Sequence, residues 1–346
     1  MPRKYILISI LALMLVSCHE IPHPAILSDT AQYFSIDHDS LTTILEVYQP
    51  ESNALLGQYA FNKPYTRIAV TSATHMGFLE ALGRTDVVVA MTRPDLMYNR
   101  PAHPVADIGE DINLNLEELF RVQPQVLLVT SYGQPLPSLD RIRRAGIEVI
   151  EMVEFREQTP LARADWLRFI GALIGEEQRA DSLMNNIAAR YHQLVKDNHR
   201  FVSVPTSVLS GASFRGTWYV PSGGTYMGRL FYDAGAAYPF YEDMRQSSIP
   251  LTFEAALQAF GTADVWIGCN CRTYTELLAL DANHALFKAY SNHRVFNWYK
   301  ASTPAGANNF WERGITHPDE ILEDLLLILS GDEKRYTQLH YASPLQ

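Results

Sequence analysis

Arginines and aromatic rings at predicted strand ends are the residues of this chain best suited to chemistry, and the chemistry they suit is recognition. Arg93, Arg156 and Arg215 each stand beyond an apolar stretch, where a guanidinium can meet a carboxylate or a chelate's negative charge. Four of the five tryptophans, Trp218, Trp266, Trp298 and Trp311, lie in the second half, and all but Trp266 fall in predicted loops or loop edges, as do Tyr219 and Tyr299. Rigid rings in loops favour a flat or macrocyclic partner, because they offer contact area at little entropic cost. Ser72, His75 and Tyr132 complete the candidate set in the first half. Nucleophilic and redox chemistry lack their signatures, since there is no G-x-S-x-G elbow and no G-x-G-x-x-G after the first strand. Cys269 and Cys271 form C-x-C with no second Cys/His pair at zinc-finger spacing. An i,i+2 disulfide would be strained, so two buried thiols are expected there. The histidines are scattered, and His75 alone stands at a strand end. Residues 222–224, Ser-Gly-Gly before a helix, can bind an anion at the helix N-terminus.

A third cysteine has a different setting. Arg3 and Lys4 precede an apolar run over residues 5–16, the n-region and h-region of an export signal, and the run is too short to span a bilayer core. Leu15-Val16-Ser17-Cys18 then resembles the lipobox of bacterial lipoproteins, which implies cleavage before Cys18 and acylation of that residue. Residues 1–17 are read as signal peptide and 18–32 as a lipidated tether. Loss of Arg3 and Lys4 would take the net charge from −10 to −12. That acidity disfavours nucleic acid and anionic lipid surfaces, both of which need a basic footprint.

Positioning elements follow from hydrophobic periodicity. Residues 33–64 alternate as a small β-meander with turns at 37–39 and 50–53. Residues 65–158 interleave apolar strands (68–71, 87–91, 126–130, 147–153) with helices (75–82, 116–122, 139–145), the mark of a parallel sheet covered on both faces. Ser72-Ala-Thr74 reads as an N-cap and Gly83 as a C-cap. Residues 159–199 keep helical spacing, interrupted near Gly171 and Gly175, and read as one stiff linking helix. Residues 200–346 resume the α/β rhythm, with strands at 208–210, 217–220, 264–268 and 294–297 and a last helix over 318–329, capped by Thr316 and ended by Gly331. In open α/β sheets ligands lie beyond the carboxyl ends of the strands, so the loops after each strand carry the candidates named above.

Two segments echo each other. Glu117 and Glu254 each sit two positions after a capping side chain (Asn115, Thr252), with a strand starting nine and eleven residues later. A glutamate in a first helical turn also complements the helix dipole, so either one alone has a structural reading. The order Arg67-Ile-Ala-Val, Ala106-Asp-Ile-Gly109, the long helix, Trp218-Tyr-Val-Pro-Ser-Gly-Gly224 and Asn309-Phe-Trp-Glu-Arg-Gly314 resembles the substrate-binding proteins of ABC importers that capture ferric siderophores, haem or cobalamin. The resemblance covers residues 65–329. It implies an α/β protein of two Rossmann-like lobes joined by a single long α-helix, with a ligand cleft between the lobes and the meander outside the common core. It implies further that Glu117 and Glu254 meet arginines of the permease, that the chain works as a monomer with a permease and its ATPase, and that the metal chelate is cargo rather than cofactor. No catalytic cofactor or resident metal is expected. A lipid-anchored two-lobed enzyme of hydrolase or chelatase type, and a binder of bare metal ions using His75, are the alternatives.

Overall fold

A computed structural model describes residues 27–130, 138–198 and 204–346; the segment 1–17, Cys18 and Tyr132 lie outside the described residues. Three strands open the described chain, β1 (Phe34–Asp39), β2 (Thr42–Tyr48) and β3 (Leu55–Phe61), paired antiparallel in that order. The first turn is shifted from its expected place. Residues 37–39 remain in the ladder, Asp39 opposite Thr42, and Ser40 makes the turn with φ 50°. Leu45, Val47 and Tyr59 are buried beneath the meander, and Phe34 sets its ring against Trp166 and Phe169 at 5.1 and 5.5 Å.

The first lobe is a five-stranded parallel sheet built from β4 (Ile68–Val70), β5 (Val88–Met91), β6 (Ala106–Asp107), β9 (Val126–Thr130) and β10 (Glu148–Met152), in the order β10-β9-β4-β5-β6. A two-stranded hairpin, β7 (Gly109–Glu110) and β8 (Asn113–Leu114), leads into the helix α2 (Leu116–Val122). Alternation along the strands separates two apolar layers. Ile68, Val70, Val126, Leu128 and Ile150 face the main core, whereas Ala69, Leu127, Val129 and Val149 face α2 (Leu116–Val122) and α3 (Leu139–Arg144). Between β4 and β5, α1 (Ala73–Ala81) is buried on most of its surface, with Ser72 as N-cap accepting from the Thr74 N–H. Strand order reverses between β4 and β9, so the crevice of this sheet opens beside Ser72.

The expected linking helix is three helices: α4 (Pro160–Ala164), α5 (Trp166–Ile174) and α6 (Glu177–Asn198). The two glycines in the segment act differently. Gly175, at φ 74°, adopts the left-handed conformation that ends α5. Gly171 lies inside α5, where a Cβ would come within 2.5 Å of the Ala180 Cβ, so it lets α5 and α6 pack closely rather than breaking a helix. The 22-residue α6 is the long element of the bridge, and it packs on α5 at one side and on the C-terminal helix at the other.

In the second lobe, β11 (Val208–Ser210), β15 (Val265–Ile267) and β16 (Val295–Asn297) are parallel, and β17 (Ser343–Pro344) closes the edge antiparallel. Residues 217–220, expected to continue the parallel rhythm, instead join an antiparallel sheet of β12 (Ala212–Phe214), β13 (Thr217–Val220) and β14 (Ile249–Leu251). The covering helices are α7 (Tyr226–Asp233), α8 (Phe253–Phe260), α9 (Tyr274–Leu280), α10 (Lys288–Ser291), α11 (Arg313–Thr316) and α12 (Pro318–Ser330). Thr316 does not cap α12. Its hydroxyl bonds the Arg313 carbonyl and the His317 ring, and Pro318 starts the helix without a side-chain cap. Gly331 ends it at φ 70°.

Candidate functional site

The candidate residues lie in loops at the carboxyl edges of the two sheets, and the last of these loops crosses from one lobe to the other. After β16 the chain runs through Trp298, which stacks on Phe310 at 4.5 Å and 18°, while Trp311 sets its edge to Phe310 at 4.7 Å. The Trp311 carbonyl accepts from the Thr74 hydroxyl at 3.3 Å, and Glu312 packs so closely on α1 that a Cβ at Gly77 would lie 2.3 Å from its carbonyl oxygen. The buried Glu312 carboxylate accepts from the main-chain N–H groups of Tyr98 (2.6 Å) and Asn99 (3.5 Å). Burial pushes its pKa up to about 7, against the opposing pull of those two N–H groups and with a further push from Glu80. Ser72 and Trp311 are thus drawn to one lobe junction, and half of the Trp311 side chain is open to solvent.

On the second lobe the β12–β13 hairpin divides its side chains by alternation. Trp218 points inward, fully buried, with its indole N–H on the Ser210 carbonyl at 3.0 Å and its ring against Trp266 (5.2 Å) and Phe287 (5.3 Å). It is a core residue and not the ligand-facing ring expected. Phe214 and Tyr219 point the other way and are 61% and 44% exposed. The expectation of a ring presented by this segment therefore transfers to its neighbours, because in a strand successive side chains take opposite faces. Arg215 stands at the hairpin tip with its guanidinium 5.1 Å above the Phe214 ring, and Arg272, after β15, lies 4.9 Å over Tyr299. Arg272 and Phe214 were missed as individual candidates; the signal for both was membership of a strand-end loop. Cys269 and Cys271 are free and buried, with burial pushing the Cys269 thiol up to about 12.

Three first-lobe candidates are otherwise engaged. His75 is wholly buried in α1 with Nε2 3.1 Å from the Thr130 hydroxyl; burial drives its pKa down to about 3, so it stays neutral and out of reach of a cleft ion. Arg93 pairs with Asp95 (3.1 Å) and Glu110 (3.2 Å), and Arg156 with Glu51 of the meander at 2.6 Å. Arg156 nonetheless lines a cavity of about 230 Å³ between the lobes, together with Phe155, Pro221, Tyr226 and Gln246. Among the described residues no group of three His, Cys, Asp or Glu side chains converges as for a metal ion.

Glu117 and Glu254 occupy equivalent places. Each is the second residue of a helix capped by the preceding side chain, Asn115 accepting from the Glu118 N–H and Thr252 from the Ala255 N–H. Both are exposed, and among the described residues neither enters an ion pair, whereas the adjacent Glu118 pairs with Arg121. The N-terminal main chain of α8, with the Thr252 hydroxyl, holds the Glu254 carboxyl below the usual carboxylate range. A helix that precedes a parallel strand starts at the carboxyl edge of its sheet, so the two glutamates share the face onto which the cleft opens.

Comparisons with known proteins agree with this geometry. The model of a family described as periplasmic binding protein matches residues 68–301. An uncharacterized lipoprotein of Methanocaldococcus jannaschii is 24% identical over 301 residues, covering 81% of this chain and 69% of its own. Among solved structures, the periplasmic heme-binding protein RhuT of Roseiflexus sp. RS-1 superposes with a TM-score of 0.60 at 18% identity, covering 77% of this chain and 98% of that one. The periplasmic vitamin B12 binding protein BtuF of Vibrio cholerae gives 0.56 at 15% identity, covering 78% and 99%. At such identities the likeness is one of fold. The family match spans about two thirds of the chain and takes in both sheets and the helical bridge, and this chain therefore belongs to the periplasmic binding protein family, whose members bind solutes outside the cytoplasm.

Proposed function

We propose that the protein is the solute-binding component of an ABC importer, holding a metal chelate between its lobes and handing it to a membrane permease. The observation that carries this reading is the matched pair Glu117 and Glu254. Both are exposed carboxylates without an ion-pair partner among the described residues, one on each lobe and on the face where the cleft opens. Such groups can form bidentate pairs with arginines of a partner and fix its orientation across both lobes at once. Open aromatic faces at Tyr219 and Trp311 suit a broad, partly apolar ligand of the kind bound by the heme and vitamin B12 relatives. The chain acts as a monomer, and an ATPase drives the permease. Cys18 carries the lipid, which places the protein at the membrane, and Cys18→Ser would move it to the soluble fraction.

Charge reversal tests the reading. Glu117→Arg and Glu254→Arg should each abolish chelate uptake by cells while leaving the affinity of the purified protein for its ligand unchanged. Normal uptake by both variants would refute docking through these residues, and loss of ligand affinity would move them from the permease face to the ligand site.

A further inference from the structure

The cations of the two lobes are engaged unequally. In the first lobe, Arg93 and Arg156 are neutralised by Asp95, Glu110 and Glu51. In the second lobe, Arg229, Arg245, Lys288 and Arg313 are paired with Asp233, Asp243, Asp264 and Glu320, and Arg294 is bound to the Ile328 carbonyl. Arg215 and Arg272 differ from all of these. Each lays one face of its guanidinium on a ring, Phe214 or Tyr299, and among the described residues neither guanidinium meets a carboxylate. The Arg272 guanidinium donates to the Ser302 hydroxyl at 2.9 Å, and the nearby Glu276 carboxylate is occupied by the Arg272 main-chain N–H at 2.7 Å. A guanidinium held against a ring keeps its N–H edge free and loses little rotamer freedom on forming two parallel bonds to an anion.

Their placement strengthens the case. β11 and β15 are adjacent parallel strands, and Arg215 and Arg272 lie in the chain segments that follow their carboxyl ends. Arg215 also takes φ 52° in the two-residue turn it forms with Gly216 at φ 82°, a conformation in which a long side chain is disfavoured relative to glycine or asparagine. The turn therefore carries an arginine against its local preference.

We propose that Arg215 and Arg272 form an anion-recognising pair on the second lobe, and that the chelate bound in the cleft presents carboxylates or equivalent anionic groups to that side. This rests on the import reading and narrows its ligand class to anionic chelates, setting aside corrinoids without net negative charge. The test is titration of the purified full-length chain with haemin, ferric citrate and cyanocobalamin. The wild type should bind haemin or ferric citrate in preference to cyanocobalamin, and more weakly as NaCl rises from about 50 to about 500 mM, since exposed charges are screened. Arg215→Gln and Arg272→Gln should each raise Kd roughly tenfold, with Arg272→Lys restoring part of the loss, because a lysine keeps the charge but not the fork. Unchanged Kd values in both Gln variants, or a preference for cyanocobalamin, would overturn the pair while leaving the import reading intact. A folded wild type that binds none of the three would remove both.

Discussion

Glu157 and Glu312 are glutamates that the fold uses as acceptors rather than as surface charges. Glu157 takes the main-chain N–H groups of Gln32 (3.0 Å) and Tyr33 (3.3 Å) and the Trp166 indole N–H (3.0 Å), tying the start of the described chain to the first lobe. Glu312 ties the second lobe to Tyr98 and Asn99. Burial raises both to about 7, opposed in each case by the N–H donors and helped by a neighbouring carboxylate, Asp165 or Glu80. For an acid whose folded pKa lies above its unfolded value near 4.5, the folded state binds the extra proton. The stabilisation is therefore full below about pH 4.5 and is lost as pH rises through 7. Each residue contributes a decline of the order of 1 to 3 kcal/mol over that window. Buried neutral His75 slopes the opposite way below 6.5, so the comparison must be between variant and wild type. Glu157→Gln and Glu312→Gln should each flatten the wild-type loss of Tm between pH 5 and 8, and a variant that kept the full slope would place the titration elsewhere.

The β12–β13 hairpin shows an element doing two jobs through its two faces. Its inner face seals the second lobe with Trp218, and Gly211 at its root must lack a Cβ, which would sit 2.0 Å from the Tyr219 carbonyl oxygen. Its outer face presents Phe214 and Tyr219 to solvent. Trp218→Ala should cost about 3 to 5 kcal/mol in urea unfolding, the range for deleting a large buried ring. Tyr219→Ala should leave stability within about 0.5 kcal/mol and weaken chelate binding instead. Equal stability losses in the two variants would contradict the division of faces.

The lobes of the whole molecule are joined more firmly than one helix would join them. A continuous apolar core runs from the meander through α5 and α6 into α12 and the second sheet. On α4, the buried Arg163 places its guanidinium 4.7 Å over Tyr226 of α7 in the second lobe. Across the cleft, α11 packs on α1, and the Glu312 bonds close the circuit. Large hinge opening would break these contacts together, and packed interfaces are bistable rather than continuously deformable. Small-angle scattering should accordingly show no domain-scale contraction when a chelate binds, although binding should raise thermal stability by about 2.7 kcal/mol at a hundredfold excess over Kd. A ligand-induced change of the size seen in hinged two-domain binders would show that the clasp opens.

Local pattern determined much of this protein. Period-two and period-3.6 spacing located the strands at 126–130 and 208–210 and the helix at 116–122 as the structure has them, since those signals depend on which face each residue must bury. Capping chemistry alone placed Glu117 and Glu254 in matching first turns. Tertiary structure decided what local pattern leaves degenerate. A glycine in a helical stretch can end it, as Gly175 does, or admit a neighbour, as Gly171 does, and the difference lies in what packs opposite. An arginine at a strand end is free or neutralised according to whether a distant carboxylate reaches its guanidinium, as Glu51 reaches that of Arg156 and none among the described residues reaches that of Arg272. Likewise Trp218 and Tyr219 read alike in sequence, and only the sheet that β13 joins determined which ring is core and which is open to solvent, because facing is a property of pairing and not of the residue.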